Sequence, residues 1–385
     1  MRSLAIKGMA SFVRVICVFI LATMWFASCR DKAINPVPPN PGPPFPAGNY
    51  QICYCGYGQI KINNILGSNP VNISLQDSNF RRGYYDDYPQ WSPDGRYIVF
   101  RRLRPDTIYN PFVYVYDTQN RTYTNLTSDG GLASSHPQWT PNGKVYFSYE
   151  SPVLSPTATY MMNPDGSDKK KILNDSAASI YFYNDSYTFL YRPNGLDGKE
   201  IYKTNIDGSF NELMLELPQP GATQYVSILD FNPLVGEFLV ETDTIAGSRD
   251  AIATLNVKSK QFKVAFNVEP GYELQAGATY SKDYSKIAFA ETEATDEDNT
   301  YICVFENGEI RKLTKMPDAT SSSHKMISWY PPKFSADGKY IAFDELVFGS
   351  GQWVNFLQYL YVVDVNSGYT QYVDKGFGVS WSPQQ

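Results

Sequence analysis

The chain has 385 residues, with 39 Asp and Glu against 33 Lys and Arg and a formal charge of −6. An acidic balance with no basic clustering argues against nucleic acid or an anionic lipid surface as the main partner. Only two histidines are present, His136 and His324, too few for a metal centre that needs several.

Residues 1–28 read as a segment apart from the fold. Arg2, Lys7 and Arg14 form a basic start, and Val15 to Ala27 is an apolar run. That run is shorter than the ~20 residues of a membrane span. It ends in Phe26-Ala27-Ser28-Cys29, which resembles a bacterial lipobox with Phe26 where Leu is usual. The resemblance implies cleavage before Cys29 and a lipid on its thiol, so that the protein is anchored to a membrane. Arg30 stands where enterobacterial lipoproteins carry an Asp for inner-membrane retention, which implies an outer-membrane location, facing the periplasm or the cell surface. Residues 29–48 read as a spacer, because seven prolines between Pro36 and Pro46 favour an extended chain. The globular domain is expected over 49–385, opening with strands at Tyr50–Tyr54, Gln59–Ile65 and Val71–Leu75.

From there a repeat sets the architecture. Pro89-Gln90-Trp91-Ser92-Pro93-Asp94-Gly95 is followed by Arg96-Tyr97-Ile98-Val99-Phe100. It is echoed at Pro137–Phe147 and again at Pro332–Phe343. Pro, Asp or Asn, and Gly suit successive positions of a tight turn, and the flanks suit half-buried strands. A second turn follows each pair, as at Asn163-Pro164-Asp165-Gly166 and Glu306-Asn307-Gly308. Each unit is therefore a four-stranded antiparallel meander, and a period of roughly 40–50 residues denotes a propeller blade. The anchors are Trp91, Trp139, Phe182, Phe231, Tyr280, Phe334 and Trp381, spaced by 48, 43, 49, 49, 54 and 47 residues. Seven anchors make seven blades, with six or eight as the alternatives. The last anchor heads a strand with nothing after it to complete a blade, so the C-terminal strand is expected to complete the N-terminal blade and cover an open edge. The abundant Tyr and Phe are what blade packing requires and call for no ligand.

These units resemble the WD40-like repeats of the TolB family, with the pattern W-S-P-D-G-x-x-I-x-F. The resemblance covers roughly residues 85–383, is plain at Trp91, Trp139 and Phe334, and fades in the middle third. TolB has six blades and an extra N-terminal domain. The likeness thus implies an all-β propeller rather than the TolB role.

No catalytic constellation appears. There is no G-x-S-x-G elbow and no hydrolase domain after the propeller, as prolyl peptidases would have. Oligogalacturonate lyases share a seven-bladed propeller, but their metal site needs several histidines. Asp296-Glu297-Asp298-Asn299 lacks calcium-loop spacing and reads as a solvated hairpin tip. Cys53 and Cys55 lie two apart on one side of a strand, as core thiols. No cofactor or metal is expected.

Loop lengths point elsewhere. The connections between second and third strands (Arg101 to Pro111, Ser148 to Ala158, Glu241 to Asp250, Glu291 to Asn299, Asp344 to Gln358) read as long. They share one face with the loops between blades. Binding commonly lives in such loops, and Arg, Trp and Tyr are favoured at binding hot spots. The expected contacts are Arg102, Arg104, His136, His324, Trp329, Tyr330 and Trp353. The expected function is a non-enzymatic scaffold with a monomeric head that binds a protein partner in the bacterial envelope. Glycan binding is the alternative.

Overall fold

The computed structural model describes residues 50–383 except 106–110, 130–131, 134–135, 151–156, 175, 186, 194–199, 218–225, 244–249, 316–323, 328–329 and 349–355. The expected signal segment, Cys29 and the Pro-rich spacer lie outside the described residues.

The chain forms seven antiparallel sheets arranged as the blades of a ring. Blade 2 is typical, with Tyr85–Trp91 innermost, then Tyr97–Leu103, Phe112–Asp117 and Thr122–Asn125 outermost. In blades 3 and 7 the innermost strand comes in two pieces, Leu132–Ala133 with Gln138–Trp139, and His324–Ile327 with Lys333–Phe334. Blade 1 joins the two chain ends. Phe377–Trp381 is its inner strand and pairs with Gln51–Cys55, placing Ile52 opposite Trp381 and Cys53 opposite Ser380. The expected closure and blade number are both present.

The core is divided. Seven separate apolar clusters each fill the space between two neighbouring blades. Every sheet is thus buried on both faces, which is why Phe112–Asp117 is buried along its whole length. Alternate residues serve alternate neighbours. Ile98 and Phe100 face blade 1, while Val99 faces blade 3. Cys53 and Cys55 are fully buried free thiols in the cluster between blades 1 and 2.

The repeated turn is a small buried relay. Tyr97 donates its backbone N–H to Ser92 Oγ at 2.8 Å, and that hydroxyl donates to Asp94 at 2.5 Å. The same pair of bonds recurs at Thr140 with Asn142, Ser281 with Asp283 and Ser335 with Asp337. Gly95, Gly143 and Gly338 follow at positive φ. Blade 6 has no glycine there, and Tyr284 takes the left-handed conformation at φ 60°.

Blades are also stitched to one another near the axis. The indole of Trp139 donates to Gln90 O at 3.0 Å, one blade back, and that of Trp381 donates to Lys333 O at 2.8 Å. The third tryptophan anchor, Trp91, differs, because its indole N–H is buried without a hydrogen-bond partner.

Two expectations need correcting. Only Val71–Asn72 is strand. Ile73–Gln76 then forms one helical turn, because Asn72 caps it and Ser74 turns inward to accept from Ile60 N–H at 2.7 Å. The second strands also run further than expected. In blade 6, Lys286–Glu293 and Asp296–Glu306 are joined by Ala294 and Thr295 alone, so Asp296–Asn299 is strand rather than hairpin tip. Buried Glu291, paired with Lys312 at 2.9 Å, keeps the strand continuous where the charge had suggested a loop.

Candidate functional site

The inner strand of blade 2 positions the site. Its far end, at Trp91, meets the tight turn, while Asp87 pairs in register with Arg101 toward the loop-bearing face. Between Asp87 and Gln90 the register shifts, and Tyr88 is held at φ 51°. A bulky residue in the left-handed region is strained, and such strain gathers at functional positions.

The strained tyrosine lies within an aromatic and cationic group. His136 stacks on Tyr88 with ring centroids 3.5 Å apart, and the Arg101 guanidinium lies 4.3 Å from the Tyr88 ring centre. Tyr330 meets Tyr88 edge-on at 5.9 Å and stacks on Phe377 at 5.7 Å. These rings come from blades 2 and 3, from between the two inner-strand pieces of blade 7 and from the closing strand of blade 1. They form a continuous wall at one mouth of the central channel. Arg101 is fixed by two bonds of 2.8 Å to Asp87. His136 is exposed at its edge, yet the density of protein around it, and next the charge of Arg101, push its imidazole down to about 3. It is therefore neutral at pH 7. Burial, and then Tyr88, push the Tyr330 phenol up. The wall is neutral apart from the Arg101–Asp87 pair.

Nearer the axis, Lys333 of blade 7 interacts electrostatically with Cys53 of blade 1 and Asp230 of blade 5, and burial lowers its amine below the ordinary range. Among the described residues no three His, Cys, Asp or Glu side chains converge so as to hold a metal ion.

Of the residues expected from sequence, His136 and Tyr330 come together at this mouth. Arg102 does not, and its assignment as a surface contact is corrected. It is fully buried between blades 1 and 2, bonded to Asp86 at 2.8 Å through both Nε and a terminal nitrogen and to Asp77 through the other. Arg104 is half-buried, with its guanidinium 4.1 Å from the Phe112 ring centre. The backbone of His324 pairs with Phe348 in blade 7. Trp329 and Trp353 lie outside the described residues. Tyr88 and Phe377 were not singled out from sequence, and Arg101 entered only as part of the basic stretch Arg101-Arg102-Leu103-Arg104. Alternation could have separated Arg101 from Arg102, since Arg102 continues the inward series Ile98, Phe100.

No family model matches the chain, and no curated protein matches it. Solved structures similar to it include an oligogalacturonate lyase in complex with manganese, at 13% identity and TM-score 0.54, covering 85% of this chain and 84% of that one. A prolyl endopeptidase structure matches at 10% identity and TM-score 0.57, over 84% of this chain and 47% of that one, so the chain spans about half its length. TolB from Acinetobacter baumannii matches at 15% identity and TM-score 0.45, over 84% and 78%. What these proteins share with the chain is the β-propeller fold.

Proposed function

We propose that this chain is a non-enzymatic binding propeller of the bacterial envelope. A lipid on Cys29 tethers it to the outer membrane, and it takes hold of a protein partner at the loop-bearing mouth of its channel. The observation that carries this reading is the wall of Tyr88, His136, Tyr330, Phe377 and Arg101, rings and a guanidinium drawn from four blades. Tyr and Arg are enriched where binding energy concentrates, because they offer large contact area at small entropic cost. A non-catalytic role is supported by His136 itself. Its imidazole is packed flat on the Tyr88 ring and kept neutral by its surroundings, as a contact surface would have it. No nucleic acid and no cofactor enter this reading.

Site-specific photo-crosslinking in intact envelopes tests it. A photoreactive residue at position 136 is expected to trap a defined envelope protein. The same probe at Lys282, on the tight-turn face, is expected to trap none, and Tyr88→Ala is expected to abolish the adduct. An identical adduct from both positions, or none at 136, overturns the reading. The tether is tested separately by palmitate labelling, which should vanish in Cys29→Ser; persistent labelling refutes it.

A second reading rests on the same rings. Stacked aromatic planes at a channel mouth also suit the faces of sugar rings, so a glycan is the alternative ligand. It requires saturable binding to purified polysaccharide that is lost in Tyr88→Ala, without a protein adduct.

A further inference from the structure

The largest departure from ordinary surface chemistry lies away from the mouth, on blades 4 and 5. Among the described residues, exposed large apolar side chains fall in only three blades. Four are in blade 1: Tyr57, Leu66, Val71 and Leu75. The other seven are in two adjacent blades. Blade 4 carries Tyr187, Phe210 and Leu213, and blade 5 carries Leu234, Val235, Phe262 and Val264, each at least 38% exposed. The turn of blade 5, Asn232-Pro233-Leu234-Val235-Gly236, shows what happened in sequence. Where blade 2 has Asp94, blade 5 has apolar residues.

These residues form one surface. Tyr187 bonds to Asp207 across the two turns of blade 4. Gly236 lies against Tyr183 of blade 4, where an added Cβ would meet the tyrosine hydroxyl at 3.4 Å, and Val257 N–H donates to Gly236 O across the two turns of blade 5. The outer strands Asn211–Glu216 and Phe262–Asn267 add exposed Leu213, opposite Tyr202 on the blade 3 side of blade 4, and exposed Val264, opposite Ala253 on the blade 4 side of blade 5. Outer strands elsewhere expose charge, as at Lys171 in blade 3 and Glu309 and Arg311 in blade 6. Charged outer strands discourage edge pairing, and in blades 4 and 5 exposed apolar side chains are interleaved with the charges.

Charge on the patch is divided. Blade 4 presents exposed Glu212 and Glu216, and blade 5 presents exposed Lys258, Lys260 and Lys263. None of the five takes part in an ion pair among the described residues. An acidic half beside a basic half, each with apolar side chains, is complementary to itself after a two-fold rotation. Blade 4 of one copy then meets blade 5 of the other, and the reverse contact forms at the same time.

We infer that blades 4 and 5 form an isologous dimer interface, and that its occupant is a second copy of this chain. This replaces the monomeric head expected from sequence and leaves the loop-bearing mouth free, since the patch lies on the tight-turn side and outer rim.

Sedimentation velocity of the full-length protein, in detergent with micelles in excess over protein, tests the inference. The wild type is expected to sediment as a dimer. Glu212→Lys with Glu216→Lys should weaken self-association by about ten-fold or more, through like charges placed opposite one another. Lys258→Glu, Lys260→Glu and Lys263→Glu together should do the same. Mixing the two variants should restore a dimer, because the swapped blade 4 of one now meets the swapped blade 5 of the other. Misfolding or general surface damage would not be rescued by mixing. A monomeric wild type, a dimer indifferent to both sets, or no recovery on mixing overturns the inference.

Discussion

Arg102 shows how far burial changes the meaning of a side chain. In the sequence it sits among Arg101, Leu103 and Arg104 and looks like part of a cationic surface. In the fold its guanidinium is enclosed by Asp86, Asp77 and the rings of Phe80, Phe100 and Tyr114. Ser74 adds a hydroxyl donor to Asp86 at 2.6 Å, which ties the helical turn of blade 1 to the inner strand of blade 2. Removing one partner of a buried pair strands the other charge without water. Arg102→Met is therefore expected to cost about 3–5 kcal/mol in chemical denaturation. Adding Asp86→Asn should recover part of the loss, because the stranded carboxylate is the larger penalty. Unchanged stability in Arg102→Met would contradict this account. Arg101, one residue earlier, points the other way and serves the channel mouth. Period-two alternation puts the two on opposite faces, and only the fold shows which face encloses its arginine. Nothing local marked Tyr88, since its strain arises from a bulge imposed by pairing with the second strand.

At the scale of the element, the repeated turn explains why the motif survives where it does. The Ser or Thr before the Pro or its equivalent is buried to 2% exposure or less at Ser92, Thr140, Ser281 and Ser335. Each hydroxyl both accepts and donates, so the next strand starts in register with the turn. Ser335→Ala leaves the Tyr340 N–H buried without its acceptor, and a loss of about 1–3 kcal/mol is expected in a denaturant melt. Thr in the same place should restore most of it, as Thr140 does in blade 3; an Ala variant as stable as the wild type would show the relay to be dispensable. Turn chemistry made these elements legible. The lengths of the second strands were not, because Glu291, Asp344 and Arg102 look like loop residues until the fold buries them and gives Glu291 and Arg102 the partners Lys312 and Asp86.

At the scale of the molecule, closure decides stability. Seven clusters each depend on two blades, so a break at one seam leaves two faces uncovered. The closing strand contributes Val379 and Trp381 to the cluster between blades 7 and 1, and the Ser380 hydroxyl accepts the Trp91 backbone N–H at 3.1 Å. Deleting residues 378–385 removes these contacts and opens the edge of Gln51–Cys55. Loss of the tryptophan alone is worth about 3–5 kcal/mol, and the whole domain is expected to melt earlier in one step. A truncated chain with an unaltered melting curve would show that the ring does not need its clasp.

The number of blades, the turns, the core thiols and the clasp were determined by the sequence alone, because each rests on spacing and on residues whose backbone preferences are local. The tertiary structure alone decided which arginine is buried, which rings meet at the channel mouth, and that two neighbouring blades share an apolar surface with opposite charges. Those facts depend on which blades become neighbours around the axis, and residues from blades 1, 2, 3 and 7 touch there only once the ring has closed.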